Sequence, residues 1–118
     1  MSKDISQIQR DLCAQYHAEF VPSAPSQILG ISLSVKSATW PLNGLRHVPE
    51  KGESGWYIWA GDYLPDDDFF KTLHVSHISN WTNAAEKFLG LAPGWRFLVA
   101  PGYEDVWFDE SLLVAGAD

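Results

Sequence analysis

The clearest hydrophobic pattern in the sequence lies near its C-terminal end, between Gly94 and Leu113. Residues 95–100 alternate between large apolar and smaller or polar side chains, which is the period of two of a half-buried strand. Pro101 and Gly102 interrupt this run, and the β-branched and aromatic residues 106–108 resume it. The pattern predicts a β-hairpin with an acidic tip, whose two tryptophans lie in the core or at its edge.

Two stretches have the spacing of amphipathic helices. Residues 2–20 repeat apolar side chains at intervals of three and four: Ile5, Ile8, Leu12, Tyr16 and Phe20. Within residues 73–91 the corresponding set is Ile78, Trp81, Ala85, Phe88 and Leu89, and Gly90 follows where a helix C-cap is expected. The sequence therefore predicts one helix at each of these positions.

Two further stretches alternate as strands do. Ile31, Leu33 and Val35 form the apolar side of the first. The second, residues 55–61, carries bulky residues on both faces, which is typical of a central or covered strand. Residues 40–44 contain Pro and Asn-Gly and predict a turn, and residues 47–55 predict a surface loop.

Together these patterns predict an α+β domain. We expect a small, largely antiparallel sheet of about four strands, with two helices packed mainly on one face. At 118 residues the sequence is long enough for a single core, so residues 1–118 form one domain with a frayed tail at 114–118.

Charge and composition narrow the function. Fifteen acidic residues against eight basic ones give a net charge of −7, which repels nucleic-acid phosphates and suits a basic protein partner. The lone Cys13 has no internal disulfide partner, and the polar N-terminus resembles no signal peptide. The sequence contains no run of apolar residues that would span a membrane. We therefore expect a cytoplasmic protein.

The acidic residues cluster with aromatic ones in two segments. Residues 62–68 and 104–110 together hold eight of the fifteen carboxylates. Tyrosine and tryptophan are frequent anchors of protein interfaces, and a clustered negative field steers a basic partner. A partner-binding surface is therefore predicted at Asp62, Asp66, Asp67, Asp68, Tyr103, Glu104, Asp105, Asp109 and Glu110. The alternative is a solvated acidic face in which one Asp of residues 66–68 caps a helix.

Catalytic chemistry has weaker support. His74 and His77 are three residues apart and follow Asp66–Asp68, so a metal-dependent hydrolase is an alternative. Cys13 lies mid-helix between apolar residues, as a packed and unreactive thiol does. No phosphate-binding loop, dinucleotide fingerprint or nucleophile elbow is present, and the sequence predicts no cofactor.

The motifs GWYIWAGD, DDDFF, LHVSHI and GWRFLVAPGYEDVWFDESLL, within roughly residues 30–113, resemble a bacterial domain family. This family, formerly of unknown function, is grouped with the immunity proteins of polymorphic-toxin systems. The resemblance implies an α+β protein that binds and neutralises a toxin domain, and it supplies no catalytic residues. A regulatory or scaffolding domain without a toxin partner is the second alternative.

Overall fold

The computed structural model describes residues 4–37, 39–64, 66 and 68–113. Its one α-helix is α1, Ile5–Gln15. The strands are β1 (Ile28–Ser32), β2 (Leu42–Arg46), β3 (Glu53–Ala60), β4 (Phe70–His74), β5 (Trp95–Ala100) and β6 (Tyr103–Phe108). Short 3-10 helices occupy Leu33–Ser37, Val75–Asn80, Glu86–Phe88 and Glu110–Leu113. The frayed tail predicted at 114–118 lies outside the described residues.

Helix α1 is shorter than the sequence pattern indicated. Asp4 caps its start, since the Asp4 carboxylate accepts a hydrogen bond of 2.9 Å from the amide of Gln7. At the other end His17 adopts a left-handed φ of 57°, and the amide of Ala18 donates to the carbonyl of Cys13 at 2.8 Å. This closure is a Schellman motif, which ends the helix before Phe20.

The six strands form one mixed sheet in the order β4-β1-β3-β2-β5-β6. β1 and β3 are parallel, and the other four neighbouring pairs are antiparallel. The α+β class is correct. The expected architecture of about four antiparallel strands and two packed helices is wrong, because β2 and β4 were not predicted and residues 73–91 form no α-helix.

β2 lies at residues where Asn43-Gly44 suggested a turn. It pairs with β3 on one side and β5 on the other, which makes it a central strand. A Cβ atom on Gly44 would lie 2.1 Å from the Phe97 ring, so the glycine is needed for the close approach of that ring to the backbone. Gly44, which suggested a turn, is therefore explained by the Phe97 ring that packs on β2.

Residues 73–91 bury the predicted side chains without forming the predicted helix. Residues 73 and 74 belong to β4, and most of the remaining residues lie in or between the 3-10 helices at Val75–Asn80 and Glu86–Phe88. Ile78, Ala85, Phe88 and Leu89 are nevertheless buried, and Trp81 is partly buried. Apolar spacing identified the buried face correctly, but it did not distinguish an α-helix from short turns.

One face of the sheet carries the hydrophobic core. α1 and the 3-10 helices at 33–37, 75–80 and 86–88 pack there, and cross-strand register puts the buried strand residues on the same side. These strand residues are Leu29, Ile31, Leu42, Trp56, Ile58, Ala60, Phe97 and Val106. Phe88 stacks on Phe97 with ring centroids 4.3 Å apart. Trp95 packs at the edge of this core, whereas Trp107 alternates onto the opposite face.

Arg46 is the buried polar centre of this layer, with only 2% of its surface exposed. Its guanidinium donates to three carbonyl oxygens, those of Ser54 (2.8 Å), Val21 (2.6 Å) and Leu91 (2.7 Å). Burial lowers the pKa of Arg46 to about 10, so the side chain stays charged at neutral pH. Arg46 thereby connects β3 to the segments that precede β1 and β5.

We expect Arg46→Met to destabilise the fold by about 3–5 kcal/mol, because three buried carbonyls lose their donor and each unsatisfied group costs about 1–3 kcal/mol. Arg46→Lys should lie between the wild type and Arg46→Met, since one ammonium cannot reproduce the planar fork. Urea unfolding measures both. Losses below about 1 kcal/mol for Arg46→Met would contradict this role.

Gly44→Ala should cost about 2–3 kcal/mol through overpacking, because the Phe97 ring is held against Phe88 and cannot withdraw freely. A double-mutant cycle checks the cause. Introduced into a Phe97→Leu background, Ala at position 44 should cost clearly less than in the wild type. Equal costs in both backgrounds would show that the ring is not the obstacle.

Candidate functional site

The candidate site lies on the sheet face opposite α1, which we call the open face. Alternation along the paired strands places these side chains there: Asn43, Leu45, Tyr57, Trp59, Phe70, Thr72, Arg96, Leu98, Tyr103, Asp105 and Trp107. Most are only partly buried. The 3-10 helices at 33–37, 75–80 and 86–88 contribute buried residues to the opposite side. Within the described residues, the centre of this face therefore remains available for contact.

Aromatic rings cover the part of the open face over β3 and β4. Tyr57 and Trp59 project from β3, Phe70 begins β4, and Tyr63 folds back from the intervening loop. With Leu45 and His47 they line a concave site of about 230 Å³, which we call the aromatic cavity. Tyr63 is 59% exposed although it contacts three other rings. The cavity is therefore built from neighbouring strands and opens to solvent.

Several of the predicted acidic residues lie at one end of this face. Asp62 follows the end of β3, Asp66 and Asp68 precede β4, and Asp105 with Tyr103 begins β6. Asp62, Asp66, Asp68 and Asp105 are exposed, and Tyr103 is 57% exposed. The register Ala60–Leu42–Val99–Glu104 places the ends of β3 and β5 and the start of β6 at the same end of the sheet. Asp67 lies outside the described residues.

These acidic residues do not form one tight cluster. β3 and β6 are three strand spacings apart, roughly 14 Å, and β4 and β6 are five spacings apart, roughly 24 Å.

The turn at Asp66, whose carboxylate accepts a hydrogen bond from the Asp68 amide at 3.0 Å, leads into β4. The interpretation of one Asp as a helix cap is therefore wrong.

Glu104 faces the opposite side of the sheet and holds structure together. Its carboxylate accepts hydrogen bonds of 2.6 Å from the Tyr16 hydroxyl and 2.6 Å from the Lys87 ammonium. Burial alone would raise the pKa of Glu104, but these two donors outweigh it and the pKa is lowered. Glu104 thus ties the β5–β6 hairpin to the end of α1 and to the 3-10 helix at 86–88.

Asp109 and Glu110 lie at the other end of β6. The Asp109 carboxylate accepts from the amide and hydroxyl of Ser111 at 3.1 and 2.6 Å, and from Arg96 at 3.2 Å. The Ser111 hydroxyl is the main reason that the pKa of Asp109 is lowered. Asp109 therefore caps the last 3-10 helix. Glu110 is exposed beside it, roughly 20 Å along the strand from Tyr103.

The groups considered for catalysis are not assembled into a centre. His74 and His77 lie with ring centroids 5.9 Å apart, and both are exposed. Among the described residues, no three His, Cys, Asp or Glu side chains are grouped so as to hold a metal ion. Cys13 is buried as expected, and its thiol donates to the carbonyl of Gly90 at 3.4 Å. Burial raises the pKa of this thiol, although Arg46 opposes the shift.

The aromatic cavity was missed at the sequence level. The signal was present, since the strand pattern at 55–61 has large residues on both faces and therefore one surplus apolar face. Leu45 could not be placed while β2 was interpreted as a turn. Phe70 could not be placed while β4 was interpreted as the approach to a helix.

We expect the Tyr16–Glu104 hydrogen bond to produce a distinct alkaline dependence of stability. The hydrogen bond to Glu104, followed by burial, raises the pKa of Tyr16 to about 12, against about 10 in the unfolded chain. Above the unfolded pKa the unfolded state binds fewer protons, so this contribution declines as the pH rises from about 10 to about 12. The advantage of the wild type over Tyr16→Phe should be constant near neutrality and shrink across that interval.

Urea unfolding of both proteins from pH 7 to pH 12 gives this difference. Tyr103→Phe, which removes an exposed phenol, is the control for any general effect of losing a tyrosine hydroxyl. A difference between the wild type and Tyr16→Phe that does not change with pH would show that the hydrogen bond is not coupled to ionisation.

Comparisons with known proteins identify the family of this structure. No helix of the described residues is long and apolar enough to cross a membrane. Comparison with curated proteins and with solved structures gave no match. A family model described as the Imm33-like domain matches residues 8–109, and this range includes most of α1 as well as all six strands. The family name is that of an immunity protein. The chain therefore belongs to the Imm33-like domain family.

Proposed function

We propose that this protein is an immunity protein that binds a toxin domain in the cytoplasm and neutralises it by direct contact, without turnover. The observation that carries the proposal is the family match over residues 8–109. The resemblance found in the sequence points to the same class. The alternative of a regulatory or scaffolding domain receives no comparable support.

The open face is the surface that we assign to the toxin. A sheet face with partly exposed aromatic residues offers large, rigid anchors of the kind that dominate binding energy in protein interfaces. Tyr63 and Tyr103 are the most exposed aromatic residues on or beside it. Asp62, Asp66, Asp68 and Asp105 border one end of this face. Among the predicted residues, Glu104 and Asp109 support the fold instead, because their carboxylates are already engaged.

A basic toxin is the partner that this charge distribution favours. The chain carries a net charge of −7. Two of its basic side chains are paired, Lys87 with Glu104 and Arg96 with Asp109, and Arg46 is buried. Exposed negative charge is concentrated at one end of the open face, at Asp62, Asp66, Asp68 and Asp105. Such a field raises the rate of encounter with a positive partner.

The proposal is tested first by protection. Cells that express the toxin encoded beside this gene should survive when the protein is co-expressed, and the purified pair should form a stoichiometric complex. Failure of the wild-type protein to protect against, or bind, the neighbouring toxin would overturn the proposal. Turnover of the toxin or of its product would instead favour an enzyme.

The contribution of charge is tested with two variants that remove the same net charge. Asp62→Asn/Asp105→Asn should slow association with the toxin about threefold or more at low salt, because the field at the binding surface weakens. Glu19→Gln/Glu110→Gln, exposed and away from that end, is the matched control. Stopped-flow association rates at several salt concentrations provide the measurement. The difference between the variants should fade near physiological ionic strength, where the Debye length is about 8 Å.

Equal association rates for the two charge-matched variants would place the interface elsewhere. The acidic end of the open face would then be a solvated surface, and the immunity function would still rest on the protection assay.

A further inference from the structure

The aromatic cavity has the geometry of a cage. Phe70 meets Tyr57 at a centroid distance of 5.2 Å and an interplanar angle of 71°, and it meets Trp59 at 6.1 Å and 77°. Trp59 meets Tyr63 at 5.5 Å and 80°. Rings that contact each other edge to face do not cover each other by stacking. Tyr63 and Phe70 meet at 6.0 Å and 55°, so the walls of the cavity stand at steep angles to one another.

The backbone holds these walls in place. Tyr57 and Trp59 are two residues apart on β3 and project to the same face. Phe70 lies on β4, which is the edge strand of the sheet. Gly30 of β1 lies between them, and a Cβ atom there would come within 2.7 Å of the Tyr57 ring. The absent side chain lets Tyr57 lie close over β1. The cavity is thus preformed, which lowers the entropy lost when a ligand enters.

Carboxylates surround this cavity. Burial is the main reason that the pKa of Tyr57 is raised, and the negative charges of Glu53 and Glu50 add to it. Asp62 follows Trp59 closely along the chain. The nearest lysine in sequence, Lys71, alternates to the opposite face of β4. Arg96, which lies across from Leu45 on the open face, is paired with Asp109. The charges that raise the pKa of Tyr57 are those of Glu53 and Glu50, so this wall of the cavity lies in a negative field.

The chain places its own cations over other rings. In the part that the structure describes, five cationic side chains lie 4.3–5.7 Å from ring centroids. The rings concerned are Phe20, Trp81, Trp56, Phe88 and Trp107, none of which lines the aromatic cavity. Among these residues the cavity is thus a set of rings without an internal cation.

We propose that the aromatic cavity receives one cationic side chain, a lysine or an arginine, projecting from the toxin. This inference rests on the proposed immunity function and assigns the aromatic cavity its ligand chemistry. A desolvated ammonium or guanidinium is attracted to the negative faces of Trp and Tyr rings, and its alkyl stem packs against apolar walls such as Leu45. The charges of Glu53 and Glu50, which act on Tyr57, add attraction. An uncharged apolar side chain of similar length gains only the packing.

The test uses small probes and therefore does not depend on the toxin. The full chain is titrated with Nα-acetyl-lysine amide, Nα-acetyl-arginine amide and the neutral Nα-acetyl-norleucine amide at constant ionic strength, while NMR signals of the Trp59 indole and the Tyr57 ring are followed. Both cationic probes should shift these signals in a saturable manner. The norleucine probe should bind about threefold or more weakly. A larger shift with one cation than the other distinguishes lysine from arginine.

A pair of matched variants locates the effect. Tyr63→Leu removes one ring of the cage at an exposed position, and it should weaken binding of the cationic probes about threefold. Trp40→Leu removes an aromatic ring that is 43% exposed and lies outside the aromatic cavity, and it should bind like the wild type. Unchanged one-dimensional spectra elsewhere confirm that both variants are folded.

Three results would overturn the assignment. The first is equal binding of norleucine and the cationic probes, which would make the cavity an apolar pocket. The second is no saturable shift at the cavity, and the third is equal weakening by Tyr63→Leu and the control variant. If the wild type still protects cells in any of these cases, the immunity function stands and only the cation site fails.

Discussion

The fold depends on the buried charge of Arg46, which has no acidic partner among the residues that the structure describes. Arg46 is held by three backbone carbonyls from separate parts of the chain, Ser54, Val21 and Leu91. A carboxylate partner would bring a second desolvated ion, whereas carbonyl dipoles are already present and need donors. Arg46 therefore donates to the Val21 and Leu91 carbonyls, which lie outside the strands, and its charge is in turn solvated by these backbone groups. Segments without regular secondary structure can then be buried against β3 without orphaned polar groups.

On both faces of the sheet a glycine lies beneath an aromatic ring, but the consequences differ. On the core side, Gly44 lets the Phe97 ring lie against β2, where Phe88 stacks upon it. On the open face, Gly30 lets the Tyr57 ring lie against β1, and no second ring stacks on it in parallel. A glycine beneath an aromatic ring consolidates the core in one case. In the other it lets the Tyr57 ring form a fixed wall of the aromatic cavity, the site that we propose for a cationic side chain, and a preformed site loses less motion on binding.

The sequence predicted burial better than it predicted elements. Alternation over residues 95–100 predicted β5, and helical spacing within residues 2–20 predicted a helix of which α1 forms the central part, because in both cases local pattern and tertiary packing agree. At Asn43-Gly44 the local pattern and the packing disagree. The Asn-Gly sequence is typical of a turn, but Gly44 is there because the Phe97 ring leaves no room for a side chain. Within 75–91, tight 3-10 turns bury Ile78 and Phe88 as a helix would, so periodicity could not separate the two.

The same distinction applies to the candidate site. Counting carboxylates located an acidic region, but it could not tell a free carboxylate from an engaged one. Glu104 and Asp105 are neighbours in sequence, and strand alternation sends Glu104 to Tyr16 and Lys87 and Asp105 to the open face. Partner choice by such a surface therefore depends on which face each residue occupies rather than on net charge. One face is covered by α1 and the core, whereas the exposed Tyr63, Tyr103, Asp62 and Asp105 lie on or beside the open face. For this reason we propose the open face as the surface that a basic partner contacts.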